Sequence, residues 1–274
     1  MTNSAWVIFT DLDGTLLDHH NYSFEVAKPA IELLRERQIP WLFNTSKTFA
    51  ELKTLREELD NPWPFIVENG SGIAIPDSPE SESLFSGLPV ADSGMQIEGF
   101  KFYSLGELRS EFMTLLHPLK KEFSFLGYGD MQPQKLMELT GLSAAQAELS
   151  MDRHYTEPCL WLDTDEAFTD FCKELESLGL QCIRGGRFAH IMGKCDKGRA
   201  LKWCMDNLFA ELRATSVALG DGENDLPMLN SADVAILVRS PVHKLPGPCL
   251  AARTIITDEI GPAGWSGAII ALCK

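Results

Sequence analysis

The chain has 274 residues, 45% of them hydrophobic and 23% charged. That is longer than one usual compact domain of ~100–200 residues and apolar enough to exclude wholesale disorder. Acidic residues outnumber basic ones 39 to 24, and the formal charge of −15 disfavours nucleic acid and anionic membrane as partners. An anionic small molecule would meet the same repulsion, so its site needs local cations, helix N-termini or a metal.

Seven cysteines, at 159, 172, 182, 195, 204, 249 and 273, show neither a C-x-x-C pair nor ligand-like spacing with His. Neither zinc nor a disulfide framework is expected, and a reducing cytoplasm fits. The start of the sequence lacks a basic n-region and no run reaches ~18 apolar residues, so secretion and membrane insertion are not expected.

Residues 5–10 (AWVIFT) are a short apolar run that ends in the polar loop DLDGTLLD, and residues 24–38 then read as a helix. The unit repeats: a strand over 40–44 (PWLFN), a polar turn, and a helix over 49–59 with Leu52, Leu55 and Leu59 on one face. A third strand, 64–67 (PFIV), ends in Glu68-Asn69-Gly70. Alternating strands and helices imply a Rossmann-like parallel sheet with its ligand crevice at the carboxyl ends of the strands.

From about residue 78 to 190 the pattern changes. A Ser/Pro/Glu-rich stretch leads to helical residues 105–123 and 143–153, a strand-like 159–162 and a helix over 165–178 with Phe168, Phe171, Leu175 and Leu178 in a stripe. We read 84–190 as an inserted α/β cap and 1–83 with 191–274 as the α/β core. In the second core segment a helix over 197–208, a strand over 216–219, the loop GDGEND and a helix starting near Leu226-Pro227 follow one another.

Asp11-Leu12-Asp13-Gly14-Thr15 directly follows the first strand, so alternation places Asp11 and Asp13 on one side and Gly14 permits a sharp turn. Two carboxylates so close need a cation or a shared proton. An Asp-rich turn or cap would look the same locally. The second cluster, Gly220-Asp221-Gly222-Glu223-Asn224-Asp225, follows another strand of the same sheet, and oxygens from Asp11, Asp13 and Asp221 suit Mg²⁺ completed by a phosphate. Asp225 reads as support for that site. Thr45 and Lys197, both at element junctions, offer the hydroxyl and ammonium that phosphoryl transfer needs. Thr45 could instead be a helix N-cap, and Lys194 competes with Lys197.

DLDGT, Thr45, Lys197 and GDGEND, in this order, resemble the four motifs of the haloacid dehalogenase superfamily. The resemblance implies that Asp11 attacks phosphorus to form an aspartyl-phosphate and that Asp13 protonates the leaving oxygen, then activates water. It also implies Mg²⁺ held by Asp11, the Asp13 carbonyl and Asp221, with Asn224 and Asp225 supporting and Thr45 and Lys197 stabilising the transferring group. Asn44–Thr48, Val67–Gly70, Gly127–Met131, Glu138–Leu142, Arg153–Pro158, Gly185–Phe188 and Gly261–Trp265 further resemble the mannosyl-3-phosphoglycerate phosphatase family, whose cap closes over the core.

That resemblance implies a phosphorylated sugar as substrate, with Lys47, Asn69, Arg153, Arg187 and the amides of Gly185 and Gly186 as donors to its carboxylate and hydroxyls. His154 departs from the aromatic expected in the Arg153–Pro158 segment, which leaves the choice of sugar open. Other phosphate esters, glucosyl-3-phosphoglycerate among them, fit the same core. So do a phosphotransferase or mutase and a non-catalytic sugar-phosphate-binding protein. A Ser-His-Asp hydrolase does not fit, because no G-x-S-x-G elbow occurs.

Overall fold

The computed structural model describes residues 5–85, 95–242 and 244–274. Five parallel strands form the central sheet in the order Arg253–Ile260, Val234–Arg239, Thr215–Gly220, Trp6–Thr10, Trp41–Phe43. Apart from the largely exposed edge strand Arg253–Ile260, its strands are apolar on both faces, as a sheet covered on both sides requires. Alternation then sorts the side chains: Ile8, Trp41, Phe43, Val217, Leu219 and Ile236 enter one cluster, and Val7, Phe9, Leu42, Ala218, Ala235 and Leu237 the other.

Helices Lys28–Glu36, Phe49–Glu58 and Gly261–Leu272 cover the first face with Ile31, Leu34, Leu52, Trp265 and Ile269. Helices Lys197–Asn207 and Leu226–Ser231 cover the second with Ala200, Leu201, Cys204, Met228 and Leu229. A parallel bridge from Asn44 to Ile66 joins the sheet's edge to an antiparallel sheet ordered Phe65–Val67, Gly72–Pro76, Phe100–Ser104, Gln96–Ile97.

This second sheet belongs to the core. Phe100 and Phe102 lie edge-on to Phe49 at 5.2 and 5.1 Å, and Phe85 packs on Phe209. Residues 100–104 therefore pack with the core although they lie beyond residue 84 in the chain. Residues 86–94 of the Ser/Pro/Glu stretch lie outside the described residues.

The inserted unit is an antiparallel sheet ordered Phe125–Gly127, Thr156–Trp161, Ala189–Gly193, Leu180–Arg184. Helix Asp165–Ser177 packs Phe171 and Leu175 on one face, and helices Pro133–Thr140 and Ala144–Met151 cover the other with Leu136 and Ala147. The helical expectation for 105–123 holds only in spacing. Phe112, Leu116 and Leu119 are buried together, but the chain breaks into Arg109–Phe112, a 3-10 turn and Leu116–Leu119, because Pro118 has no N–H for a continuous ladder.

Candidate active site

Parallel register brings the motifs together. Thr10 pairs with Leu219 on one side and Phe43 on the other, so Asp11, Gly220-Asp221 and Asn44-Thr45 leave the sheet side by side. The Asp11 N–H still donates to Leu219 O at 2.9 Å. Trp265 is fully buried beneath this edge and donates from Nε1 to Thr10 Oγ1 at 2.9 Å.

Gly14 turns the first loop back at φ +83°, and a Cβ there would stand 2.7 Å from Asp221 Oδ2. Only a residue without a side chain lets the two acidic loops approach this closely. Thr15 Oγ1 donates to Asp221 Oδ1 at 3.2 Å.

One carboxylate oxygen from each of Asp11, Asp221 and Asp225 lies within 4.8 Å of the others, and all three residues are buried. Asp225 is engaged on both oxygens: Oδ1 accepts from Lys197 Nζ at 2.6 Å, and Oδ2 accepts from the amides of Asp221 and Gly222 at 3.0 Å. It therefore shapes the loop and holds Lys197, while Asp11 and Asp221 are the carboxylates best placed to ligate. An all-oxygen, carboxylate-rich donor set fits Mg²⁺. Asn224 lies in the 3-10 turn Glu223–Asp225, and Glu223 accepts from the Gly247 amide at 2.9 Å, tying down the following loop.

Lys197 opens its helix under an Asp196 N-cap and is 1% exposed, with Nζ 2.6 Å from both Asp11 and Asp225. Burial draws its pKa down, but the Asp11 and Asp225 charges outweigh burial and raise it. Burial first and the Asp225 charge second push the Asp11 carboxyl well above the usual range, against the pull of Lys197. A divalent cation would reverse that balance and keep Asp11 ionised. Lys194 is exposed, which separates the two candidates.

Thr45 is 1% exposed, and its hydroxyl faces the Lys47 amide at 3.4 Å. Helix capping falls to Thr48, which forms a capping box with Glu51. Lys47 Nζ lies 3.0 Å from Asp13 Oδ2 and 3.6 Å from Glu51 Oε1. Burial lowers its pKa, but these two carboxylates raise it further. Asp13 Oδ1, Asn44 Oδ1 and Asn69 Oδ1 are buried with no partner among the described residues, an uncommon state that marks this edge as built to meet further donors.

Sequence reasoning missed Glu68. Glu68, Asn69 and Gly70 all have positive φ, at 48, 59 and 94°, a costly run for two side-chain-bearing residues. The turn's amides donate to Lys47 O and Thr45 O at 3.0 and 2.8 Å. The fully buried Glu68 carboxylate accepts from the amides of His154, Tyr155 and Thr156 and from Thr156 Oγ1. One strained turn thus touches both the Thr45–Lys47 loop and the inserted unit. The only sequence signal was an acidic residue at a strand end.

Arg153 is not a solvated helix end. Its side chain is 6% exposed, and it donates to Ser46 O, Ser150 O and Thr156 Oγ1 and sits 3.7 Å from Glu68. Glu157 pairs with Arg109 at 2.6 Å, not with Arg153. Arg187 stands on the hairpin tip between Leu180–Arg184 and Ala189–Gly193, donating to Leu139 O. The Gly185 amide, expected to face a ligand, instead donates to Phe188 O at 2.9 Å and closes that hairpin. Gly186 has open space where a Cβ would be.

The model of the haloacid dehalogenase-like hydrolases matches residues 8–89 and 146–245, and the chain belongs to that family. A glucosyl-3-phosphoglycerate/mannosyl-3-phosphoglycerate phosphatase of Methanococcoides burtonii is 36% identical over 270 residues, 97% of this chain and 96% of that one. A protein of the same description from Persephonella marina is 35% identical, covering 96% and 95%. Within the hydrolases the chain is thus a phosphatase of the family these two relatives represent. A solved structure from Thermoplasma acidophilum superposes with a TM-score of 0.66 over 98% of both chains at 14% identity, a likeness of fold alone.

Proposed function

We propose that the protein hydrolyses hexosyl-3-phosphoglycerates, mannosyl or glucosyl, through an aspartyl-phosphate on Asp11. The observation that carries this reading is the buried convergence of Asp11, Asp221, Asp225 and Lys197 at one sheet edge. The full-length similarity to relatives named for both hexosyl esters supports the substrate.

Asp11 Oδ attacks phosphorus in line while Asp13, beside Lys47, donates a proton to the leaving glycerate oxygen. Asp13 then takes a proton from water as that water attacks the phosphoaspartate. Thr45 and Lys197 supply fixed donors to the phosphoryl oxygens, and Lys197 is held by Asp225. Mg²⁺ held by Asp11, Asp221 and the Asp13 carbonyl would neutralise phosphate charge. We place the inserted unit above this edge as a cap, with Lys47, Asn69, Arg153, Gly186 and Arg187 toward the sugar and glycerate; Arg153 acts there through the loop it braces.

The test is a panel of phosphomonoesters with kcat/KM as readout, in excess chelator and with Mg²⁺ restored. Selective hydrolysis of the hexosyl-3-phosphoglycerates, silenced by chelator, is expected. Phosphate release unaffected by chelator would remove the metal role, and equal rates on all esters would remove the substrate assignment. Release only when an acceptor sugar is added would instead favour a phosphotransferase.

A further inference from the structure

Tyr22 lies in the loop after the first motif, held at φ +58°. That region strains a bulky side chain and is easier for Gly or Asn, so a tyrosine here signals a use for its ring. The loop is built to keep it there. Asp18 Oδ1 accepts from the His20 and Asn21 amides at 2.9 and 3.1 Å, Tyr22 N donates to Asp18 O at 2.9 Å, and Asp18 N to Ser23 O at 2.9 Å.

The ring covers Lys47 Nζ, 5.1 Å from its centroid, the same ammonium that pairs with Asp13. Asp13, Lys47 and Glu51 of the core and Arg187 of the inserted unit all act on the Tyr22 hydroxyl, although burial is the largest influence on it. Arg187 and Glu51 act on Tyr128 as well. Tyr22 thus borders the Asp13–Lys47 pair, and 41% of it remains exposed.

We propose that Tyr22 is a specificity-determining residue of the core, its ring forming the wall, beside the Asp13–Lys47 pair, on which the sugar of the hexosyl ester packs. This rests on the substrate reading above. Sugars present apolar C–H faces that pack well on a flat aromatic ring, and a rigid tyrosine loses little entropy in doing so. A core contact of this kind measures the organic group at a fixed height above Asp13.

The experiment compares wild type, Tyr22→Phe, Tyr22→Asn and Tyr22→Leu by thermal melting and by the ratio of kcat/KM for mannosyl- or glucosyl-3-phosphoglycerate to that for p-nitrophenyl phosphate. Tyr22→Phe should keep the ratio within about threefold, while Tyr22→Asn, whose backbone suits this φ, should lower it about tenfold or more, mostly through KM. Tyr22→Leu should behave like Tyr22→Asn and decides the matter if the latter does not fold. An unchanged ratio in Asn and Leu variants, or an equal fall on both esters, would overturn the proposal. A wild type without preference for the hexosyl esters would overturn the substrate reading first, and this one with it.

Discussion

Asp11 is buried beside two other carboxylates and one ammonium, an arrangement that is costly without a cation and useful with one. Asp11→Asn keeps the volume and a partner for Lys197, so we expect a folded protein with turnover lowered by about 10⁴-fold or more, a scale common for loss of a nucleophile. Circular dichroism with a phosphate-release assay checks this, and substantial activity would remove the nucleophile. His190 has no part in the proposed reaction; burial, then the charges of Arg153 and Lys197, lower its pKa from 6.5 to about 3. The unfolded chain then binds the extra proton, so this stabilisation is complete above pH 6.5 and is lost as pH falls toward 3. Wild type should lose about 1.4 kcal/mol per pH unit through that window from this group. Urea titrations between pH 7 and 5 should show a shallower fall for His190→Gln, and parallel curves would refute it.

At the scale of elements, the strained turn Glu68–Gly70 links strand Phe65–Val67 to the inserted unit. A Cβ on Gly70 would stand 2.2 Å from Asp196 O, so the turn is also pressed against the loop that launches Lys197. Glu68→Ala would leave the amides of His154, Tyr155 and Thr156 without their acceptor and remove the carboxylate 3.7 Å from Arg153, and we expect a loss of about 3 kcal/mol or more. Chemical denaturation at pH 7.5 measures it; a loss under about 1 kcal/mol would mean the segment refolds around water.

At the scale of the whole molecule, a charge of −15 opposes an anionic ester, and the cations near the site must win over a short range. Screening weakens the distant repulsion more than the close contacts, since the Debye length falls from about 30 Å at 0.01 M to about 8 Å at 0.15 M. We therefore expect kcat/KM for a hexosyl-3-phosphoglycerate to rise modestly as NaCl increases from 10 to 150 mM. A steep fall over that range would show that long-range attraction dominates instead. No helix among the described residues is long and apolar enough to cross a membrane.

Local pattern was enough to read the alternating strands and helices, the parallel core and the acidic clusters of Asp11, Asp13 and Asp221, which sit where an apolar run stops, while Thr45 and Lys197 were set apart from a helix N-cap and from Lys194 by the resemblance of the ordered motifs. Short apolar runs without a polar landmark escaped: Gly72–Pro76, Phe125–Gly127 and the hairpin carrying Arg187 acquire their meaning from antiparallel partners. Phe100 and Phe102, beyond the expected boundary at 84, pack on Phe49, a contact between residues distant in sequence. The roles of Glu68 and Tyr22 likewise depend on backbone signs and on neighbours from separate segments. Chemistry was written in the order of residues, while the strand register and the packing of the inserted unit decided which of them meet, since hydrogen-bond pairing and burial are properties of the folded chain.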